Sequence, residues 1–540
     1  MVKRLEGIVN QVIEWSYSSG RIYDDPFNEV ELDLVMEHSD GSCWRVPAYW
    51  AGEREWRVRF APPKAGVYTA TTLCSDEENL SLHGCRLKVE AAPYKGDHPL
   101  LKHGPLQVAE SGRTLEHEDG TPFFWMGDTW WLGLCDRLSW PEDFQLLTQD
   151  RVEKGYTLIQ LVAGLYPDMA PLDERGTNEA GLPWEEGFTH INPSFFDMAD
   201  LRIRWLIRSG LVPCIVGAWG YYLPELGMDK MKKHWRYVIA RWSAYPVIWC
   251  LAGEATMAYY LSDDSEKETA FQRQGWTEIG RYVHETDPYS RLVTLHPWRV
   301  GRDDVEDDSV LDVEMLHSGH GGYSSVSTAI EALDQERGLE PTMPIVIGEL
   351  NFEEIRPDTH TPVQRLSFWS CFLSGAGGYS YGADGIWQMN TRDEPFGPSP
   401  HGGTWGNMPW EDAYRLTGSS QVPLARKLLE RYPWWEFEPH QDWVYPAGGS
   451  DNVREAFAAG IPGEVRVIYV YGPVYPKGEE RPRVTNLDPG LEYRAFFWDP
   501  RSGEETSIGI VRSNVEGVWN IPRTPTQRDW VIVLEAQTHS

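Results

Sequence analysis

Residues 247–254 read Val-Ile-Trp-Cys-Leu-Ala-Gly-Glu, a short apolar run that ends in a glycine and a carboxylate. A short apolar run that is closed by such a break is typical of a buried β-strand. Seven similar runs lie before and after it, and helix-like segments separate most of them. The eight runs are 123–126, 157–162, 212–217, 247–251, 292–295, 311–315, 345–347 and 378–381.

The segments between these runs carry helix signals. From Met228 to Trp242 the apolar residues recur at spacings of three and four, which predicts one apolar helix face. Asn192 is the expected N-cap of another helix, with Pro193 at its first position. The long segment 164–190 is predicted to be a loop insertion after the second strand.

Eight strand–helix units over roughly 300 residues match the size of a (β/α)8 TIM barrel. A doubly wound open sheet is the structural alternative. It is disfavoured because no glycine-rich phosphate loop follows the first strand.

The segments that flank the barrel read as all-β. Short alternating or β-branched runs such as 30–36 and 67–72 are separated by turn residues, and the same pattern returns near the C-terminus. Residues 93–105 are predicted to be a linker. The expected architecture is a TIM barrel flanked by two small β-sandwich domains, with boundaries at 1–95, 96–435 and 436–540.

Composition limits the classes of partner. The formal charge of −32 argues against nucleic acid and against an anionic membrane surface. With 26 Trp and 25 Tyr, the chain favours a neutral carbohydrate, because indole and phenol faces stack on sugars while their polar groups still find partners. Most of these aromatic side chains are nevertheless expected to fill cores.

Location and cofactors are expectations of the same kind. No apolar run has the length of a membrane span, and the N-terminus has no signal-peptide pattern, so we expect a cytoplasmic protein. The seven cysteines form no CxxC pair, and we expect no disulfide framework, no metal and no cofactor. A homo-oligomer is left open.

Two glutamates end apolar runs. Glu254 follows Gly253, and Glu349 follows Gly348 three units later. Barrel enzymes carry their catalytic groups at the C-terminal ends of the strands. Two carboxylates on facing strands can lie about 5 Å apart, the separation used in retaining glycoside hydrolysis. One such glutamate alone is more often a cap or a surface charge, but two in this arrangement favour catalysis.

Other strand ends supply candidate sugar contacts. They are Asp128, Gln160, Trp219, His296, His317 and His320. For Asp128, capping of the following helix is an equally favoured role. The histidines lack HExxH-type spacing, and the nearest carboxylates are the candidate catalytic pair, so hydrogen bonding is favoured over metal binding. No GxSxG motif points to a serine hydrolase.

Together these motifs resemble the apiosidase-like glycoside hydrolases, within the larger clan of two-carboxylate barrels. The similar segments are 124–131 (FWMGDTWW), 155–160 (GYTLIQ), 191–197 (INPSFFD), 218–220 (AWG), 294–297 (TLHP), 318–320 (SGH), 347–349 (IGE) and 381–389 (YGADGIWQM). The N-terminal segment resembles the Ig-like domain often fused to such barrels. The last roughly 100 residues resemble the β domain that commonly follows them.

The resemblance implies a retaining exo-glycosidase acting on a plant-type sugar, such as the pentofuranoses apiose or arabinose. It implies that Glu349 is the nucleophile and Glu254 the acid/base. Substrate contacts are expected from aromatic residues at or near strand ends. They are Trp130, Trp131, Trp219, Tyr381 and Trp387.

The chain departs from the family pattern at four positions near the pocket. Glu254 stands where the family often has Asp, and Gly253 stands where the clan usually has Asn. Tyr379 and His317 stand where the family tends to have His and Gln. Two alternatives to a glycosidase therefore remain open. One is a carbohydrate-binding protein without turnover, and the other is a barrel hydrolase of another class, metal-assisted or acting on esters.

Overall fold

The structure is a computed structural model, and it describes residues 3–472 and 482–537. Its centre is a sheet of eight parallel strands. The strands are β1 (Trp125–Thr129), β2 (Leu158–Val162), β3 (Val212–Val216), β4 (Ile248–Cys250), β5 (Val293–Thr294), β6 (Glu314–His317), β7 (Ile345–Glu349) and β8 (Gly378–Tyr381).

The strand order distinguishes the two architectures that the sequence left open. Apart from β5 and β6, each strand pairs with its neighbours in the chain, and β1 pairs with β8 as well as with β2. A doubly wound sheet would instead reverse its order at an inner strand. Between β5 and β6 the described residues form no ladder, and a single bridge from Val300 to Leu316 joins that side. The sheet is a nearly closed barrel, and the predicted fold class is confirmed.

Helices surround the barrel. The longer ones are Glu142–Lys154, Pro193–Arg208, Met228–Trp242, Ser265–Thr286, Tyr323–Glu336 and Thr361–Leu373. Shorter ones are Tyr222–Leu226, Trp410–Ala413, Thr417–Gln421 and Leu424–Leu429. Two signals read from the sequence are confirmed. The side chain of Asn192 accepts the N–H of Ser194 as an N-cap, and the helix from Met228 to Trp242 buries its apolar face.

Two strand predictions need correction. The first strand begins at Trp125, because Phe123 pairs with Leu115 in a small hairpin sheet outside the barrel. The sixth begins at Glu314, three residues later than predicted, because Leu311 closes a 3-10 turn. In both places the apolar character of the residues suggested a strand, although these residues lie outside the barrel ladder.

The N-terminal part packs a five-stranded sheet and a three-stranded sheet around a separate core. Their strands are Lys3–Ile8, Ile13–Ser18, Leu32–His38, Cys43–Pro47, Tyr49–Trp50, Glu55–Phe60, Gly66–Cys74 and Arg86–Ala92. The predicted linker 93–105 contains a short helix, Pro99–Lys102, and docks on this domain through Asn10, whose amide donates to the carbonyl of Leu101. A hairpin sheet follows, formed by Leu106–Val108, Leu115–His117 and Pro122–Phe123.

The C-terminal part has a six-stranded and a three-stranded sheet. Their strands are Glu438–Pro439, Val444–Tyr445, Phe457–Ile461, Val465–Val470, Arg483–Val484, Glu492–Trp498, Glu505–Val511, Trp519–Asn520 and Trp530–Gln537. A buried ion pair between Arg365 and Asp529, at 2.6 Å, joins this part to a barrel helix. In the same way, the buried Arg59–Asp200 ion pair joins the N-terminal domain to the barrel helix Pro193–Arg208. The exact domain boundaries remain predictions.

Two further features concern location and redox state. In the part of the chain that the structure describes, no helix combines the length and the apolar character that crossing a membrane requires. Cys214 and Cys250, which the sequence placed in apolar runs, are buried free thiols on β3 and β4.

Candidate active site

A cavity of about 600 Å³ opens at the C-terminal ends of the barrel strands. Its size is that of a small-ligand pocket, and its position is the functional face of this fold. Both candidate glutamates, Glu254 and Glu349, line it. Aromatic and histidine side chains from several strand-end loops form much of the remaining wall.

Glu349 is the last residue of β7. Gly348 before it is required by packing, because a Cβ there would lie 2.4 Å from the sulfur of Met315. Three imidazoles surround the Glu349 carboxylate. The Nε2 of His320 lies 2.9 Å and that of His317 3.6 Å from Oε1, while the Nε2 of His296 lies 3.3 Å from Oε2.

Backbone contacts fix the tautomer of two of these rings. The Nδ1 of His320 accepts the N–H of Phe352 at 3.1 Å, and the Nδ1 of His296 accepts the N–H of Glu254 at 3.4 Å. A neutral imidazole that accepts at Nδ1 carries its proton on Nε2. His320 therefore donates its Nε2–H to the Glu349 carboxylate, while the Nε2–H of His296 lies 3.3 Å from Oε2 without a hydrogen bond of good geometry within the described residues.

These donors decide the charge state of Glu349. Burial raises the pKa of its carboxyl, but the charge of His317 and the contacts with His296 and His320 outweigh burial and hold the pKa well below its usual range. Burial also lowers the pKa of His317 to about 4. Near neutral pH His317 is thus uncharged, and the contacts with His296 and His320 stabilise the ionised form of Glu349 there.

Glu254 lies four residues beyond the end of β4, with a left-handed backbone at φ 42°. Its Oε2 accepts the indole N–H of Trp219 at 3.1 Å. Burial, followed by the negative charge of Glu349, raises the pKa of Glu254 to about 8. The pocket therefore holds two carboxyl groups whose pKa values are pushed in opposite directions, which is the pattern of an acid paired with a nucleophile or base.

His317 lies between the two carboxyl groups. Its Nδ1 is 3.9 Å from Oε1 of Glu254 and 3.2 Å from the carbonyl of Pro297, to which it donates when neutral. Its Nε2 then carries a lone pair on the side of Glu349. This ring therefore lies within 4 Å of a carboxyl oxygen of each glutamate.

The cluster also meets the distance condition for a metal site. One donor atom from each of His317, His320 and Glu349 lies within 4.8 Å of the others. Metal binding needs a lone pair on each nitrogen ligand. The Nε2 of His320 instead carries a proton and donates it to Glu349. The chemistry of this donor set fits a hydrogen-bond cluster better than a metal cage.

The structure brings most of the predicted site residues together. Besides the two glutamates, Trp131, Trp219, His317, His320 and Trp387 line the cavity. His296 lies directly behind it, against Glu349 and edge-to-face with Trp131.

Four predicted sugar contacts are fully buried and do not belong to the cavity lining, so the structure does not bring them together with the other site residues. The four are Asp128, Trp130, Gln160 and Tyr381. Asp128 pairs with Arg151 at 2.5 Å and accepts the indole N–H of Trp130 at 2.7 Å. The amide of Gln160 donates to the carbonyl of Gly348 at 3.0 Å, and the hydroxyl of Tyr381 donates to Glu353. Nearness to a strand end did not reveal which side of the strand faces the cavity.

Several lining residues were missed because they lie on loops without periodic patterns. They include Asp168, Tyr260, Trp298, His401 and Trp405. Asp168 is the most unusual of them. Both carboxylate oxygens are buried and lack a hydrogen bond of good geometry within the described residues, and its φ is 60°. Its place in the predicted loop insertion 164–190 was the available signal.

Comparison with known proteins gives the family. A family model described as "Apiosidase-like, catalytic domain" matches residues 109–436, more than half of the chain. A second model, a domain of unknown function (DUF5060), matches residues 9–75. No curated protein matches the chain.

Solved structures share the fold. A glycoside hydrolase family 5 protein from Bacteroides vulgatus ATCC 8482 is 21% identical with a TM-score of 0.66, covering 80% of this chain and 93% of that one. A structure described as a glycoside hydrolase is 21% identical with a TM-score of 0.67, covering 82% and 98%. Another protein of the same Bacteroides strain, 17% identical with a TM-score of 0.68, covers 99% of this chain and 100% of its own.

The match over residues 109–436 coincides with the barrel that carries both glutamates. The chain therefore belongs to the apiosidase-like catalytic domain family.

Proposed function

We propose that the chain is a retaining exo-glycoside hydrolase that removes a terminal sugar, a pentofuranose such as apiose or arabinose, from a plant-type glycan or glycoside. The observation that carries the proposal is the pair Glu254 and Glu349, which line one pocket with pKa values shifted in opposite directions. Two such carboxyl groups suffice for double displacement.

In the first step, ionised Glu349 attacks the anomeric carbon while protonated Glu254 gives its proton to the departing oxygen. The bond from the anomeric carbon to that oxygen breaks, and a glycosyl ester on Glu349 forms. The pKa of about 8 keeps Glu254 protonated at neutral pH, as this step requires.

In the second step, Glu254 has become a carboxylate and takes a proton from water as the water attacks the anomeric carbon. Glu349 leaves, and the anomeric configuration returns to that of the substrate. His296 and His320 serve both steps, because their N–H groups hold the Glu349 carboxylate in place and stabilise its charge when it is released.

A neutral substrate suits this pocket. The charged groups that line it include acidic Glu349 and Asp168 as well as basic Arg299 and Arg356, so the proposal of a neutral substrate rests on the aromatic lining and not on the charge of the pocket. Trp131 and Trp387 offer indole surface for the apolar face of a sugar. A cavity of about 600 Å³ is suited to a terminal sugar more than to a long stretch of glycan.

The proposal is tested by screening purified protein on nitrophenyl furanosides and pyranosides, with and without EDTA. We expect turnover of at least one glycoside, unchanged by EDTA. Glu349→Gln should reduce it to below about one percent, because the covalent step is lost. The exposed neighbour Glu354 provides a matched control, Glu354→Gln, which should keep full activity.

Each alternative has its own outcome in this screen. Sugar binding without turnover would indicate a binding protein. Loss of activity with EDTA, restored by a divalent ion, would indicate that the cluster of His317, His320 and Glu349 binds a metal. Hydrolysis of nitrophenyl esters alone would indicate an esterase.

A further inference from the structure

Trp219 has a role in the pocket other than the sugar stacking expected of it. Its indole is almost fully buried, just beyond the end of β3. Its Nε1–H donates to Oε2 of Glu254 at 3.1 Å. The indole has one N–H donor. Because this N–H already binds the Glu254 carboxylate, Trp219 has no donor left for a sugar hydroxyl.

The sequence makes room for this indole at Gly253. A Cβ at that position would lie 2.2 Å from two carbons of the six-membered ring of Trp219, closer than atoms of a folded protein approach. Backbone hydrogen bonds fix the two segments together: Gly253 donates to Ala218 at 3.0 Å, and Gly220 donates to Gly253 at 2.7 Å. The indole thus fills the space that any side chain at 253 would need.

The backbone of Glu254 is held equally firmly. Its N–H donates to Nδ1 of His296, and a Cβ on Gly220 would lie 2.4 Å from its carbonyl oxygen. A non-glycine residue at φ 42° costs energy, and the surrounding contacts must offset that cost. With the backbone fixed, the side-chain rotamer is the remaining freedom, and the hydrogen bond from Trp219 selects one.

We propose that Trp219 is the positioning residue of the acid/base: it holds Oε2 of Glu254, so that Oε1 alone exchanges the proton with the leaving oxygen and with water. The inference rests on the proposed role of Glu254 as acid/base. Gly253 is part of the same arrangement, because a side chain at this position would overlap with the indole of Trp219.

This arrangement has a chemical consequence. The N–H of Trp219 stabilises the carboxylate that forms when Glu254 has given up its proton. Its benefit is therefore largest for leaving groups that need protonation and small for those that leave as stable anions.

The test compares Trp219→Phe with wild type on aryl glycosides of increasing leaving-group basicity. Phenylalanine keeps an aromatic ring and removes the donor. We expect kcat/KM to fall about tenfold or more for basic phenolates and to change little for dinitrophenolate. The basic limb of the pH profile should move up by about one pH unit, because the bond that lowers the pKa of Glu254 is gone.

Trp131→Phe is the matched control. Trp131 lines the same cavity and packs edge-to-face on Trp219 at 5.4 Å. Its substitution should change kcat/KM by one common factor for all leaving groups and leave the basic limb in place. If Trp219→Phe behaves like this control, the positioning role is overturned.

Glu254→Gln separates this inference from the proposed function. If Glu254→Gln shows no dependence on the leaving group, the acid/base role itself is wrong. If it shows a steep dependence and Trp219→Phe shows none, only the role of Trp219 is wrong.

A second readout does not need turnover. Ionisation of Glu254 beside an indole should shift the tryptophan absorption near pH 8, a change that Glu254→Gln abolishes. We expect Trp219→Phe to abolish it too, and an undiminished transition in Trp219→Phe would contradict the proposal.

Discussion

His320 donates its Nε2–H to Oε1 of Glu349 at 2.9 Å, while its own Nδ1 accepts a backbone N–H from Phe352. The backbone contact fixes the tautomer, and the tautomer fixes the direction of the donor. The charge of His317 and the hydrogen bonds to Glu349, including this one, outweigh burial and hold the pKa of Glu349 well below its usual range.

His320→Ala should therefore weaken the nucleophile. The hydrogen bond lowers the pKa of Glu349, so its loss raises that pKa, and activity is lost on the acid side where Glu349 becomes protonated. We expect kcat/KM to fall about tenfold to a hundredfold, with a new acid limb in its pH profile. His103→Ala, far from the cavity, should keep the wild-type profile. An unchanged acid side in His320→Ala would show that His320 does not set the charge of Glu349.

The wild-type pH profile should be set on its basic side by Glu254. Burial, and then the charge of Glu349, raises its pKa to about 8, and the protonated form is the active one. kcat/KM should therefore be full below this pH and fall above it. Glu254→Gln, assayed on a dinitrophenyl glycoside so that its turnover stays measurable, should show no limb near this pH. A limb that persists in this variant belongs to another group.

Two tryptophans, Trp130 in segment 124–131 and Trp387 in segment 381–389, should have different effects when they are replaced. Trp130 is fully buried and donates to Asp128, so Trp130→Phe leaves a buried carboxylate short of a donor and should lower the free energy of unfolding by about 1–3 kcal/mol with KM unchanged. Trp387 lines the cavity, and its buried Nε1 lacks a partner among the described residues. Trp387→Phe should raise KM severalfold and leave stability near wild type. Thermal unfolding and steady-state kinetics measure both, and the reverse pattern would contradict the assignment.

The barrel could be predicted from the sequence because the eight strands are short and buried and most of their residues are apolar, and because the helix from Met228 to Trp242 has a clear period. The two glutamates were found because each follows a glycine directly after an apolar run, although Glu254 lies four residues beyond the end of its strand. The boundaries of the strands were harder to predict. Leu311 is as apolar as a strand residue, yet it closes a turn.

Orientation and loops could not be predicted in this way. Asp128 and Glu349 both end strands, but one pairs with Arg151 inside the wall and the other faces the cavity. Only the pleat and the tilt of each strand decide between these outcomes. Asp168 and Trp298 lie on irregular loops whose path depends on distant contacts, and no local period marks them.

The central claim is that Glu254 and Glu349 divide the roles of acid/base and nucleophile in a retaining double displacement. The most direct measurement uses Glu254→Ala with a dinitrophenyl glycoside and added azide, followed by proton NMR of the product. Dinitrophenolate needs little protonation, so Glu349 should still form the glycosyl enzyme, and azide should then react without a base. The account predicts that azide restores turnover and gives a glycosyl azide with the anomeric configuration of the substrate. A glycosyl azide of inverted configuration would contradict it.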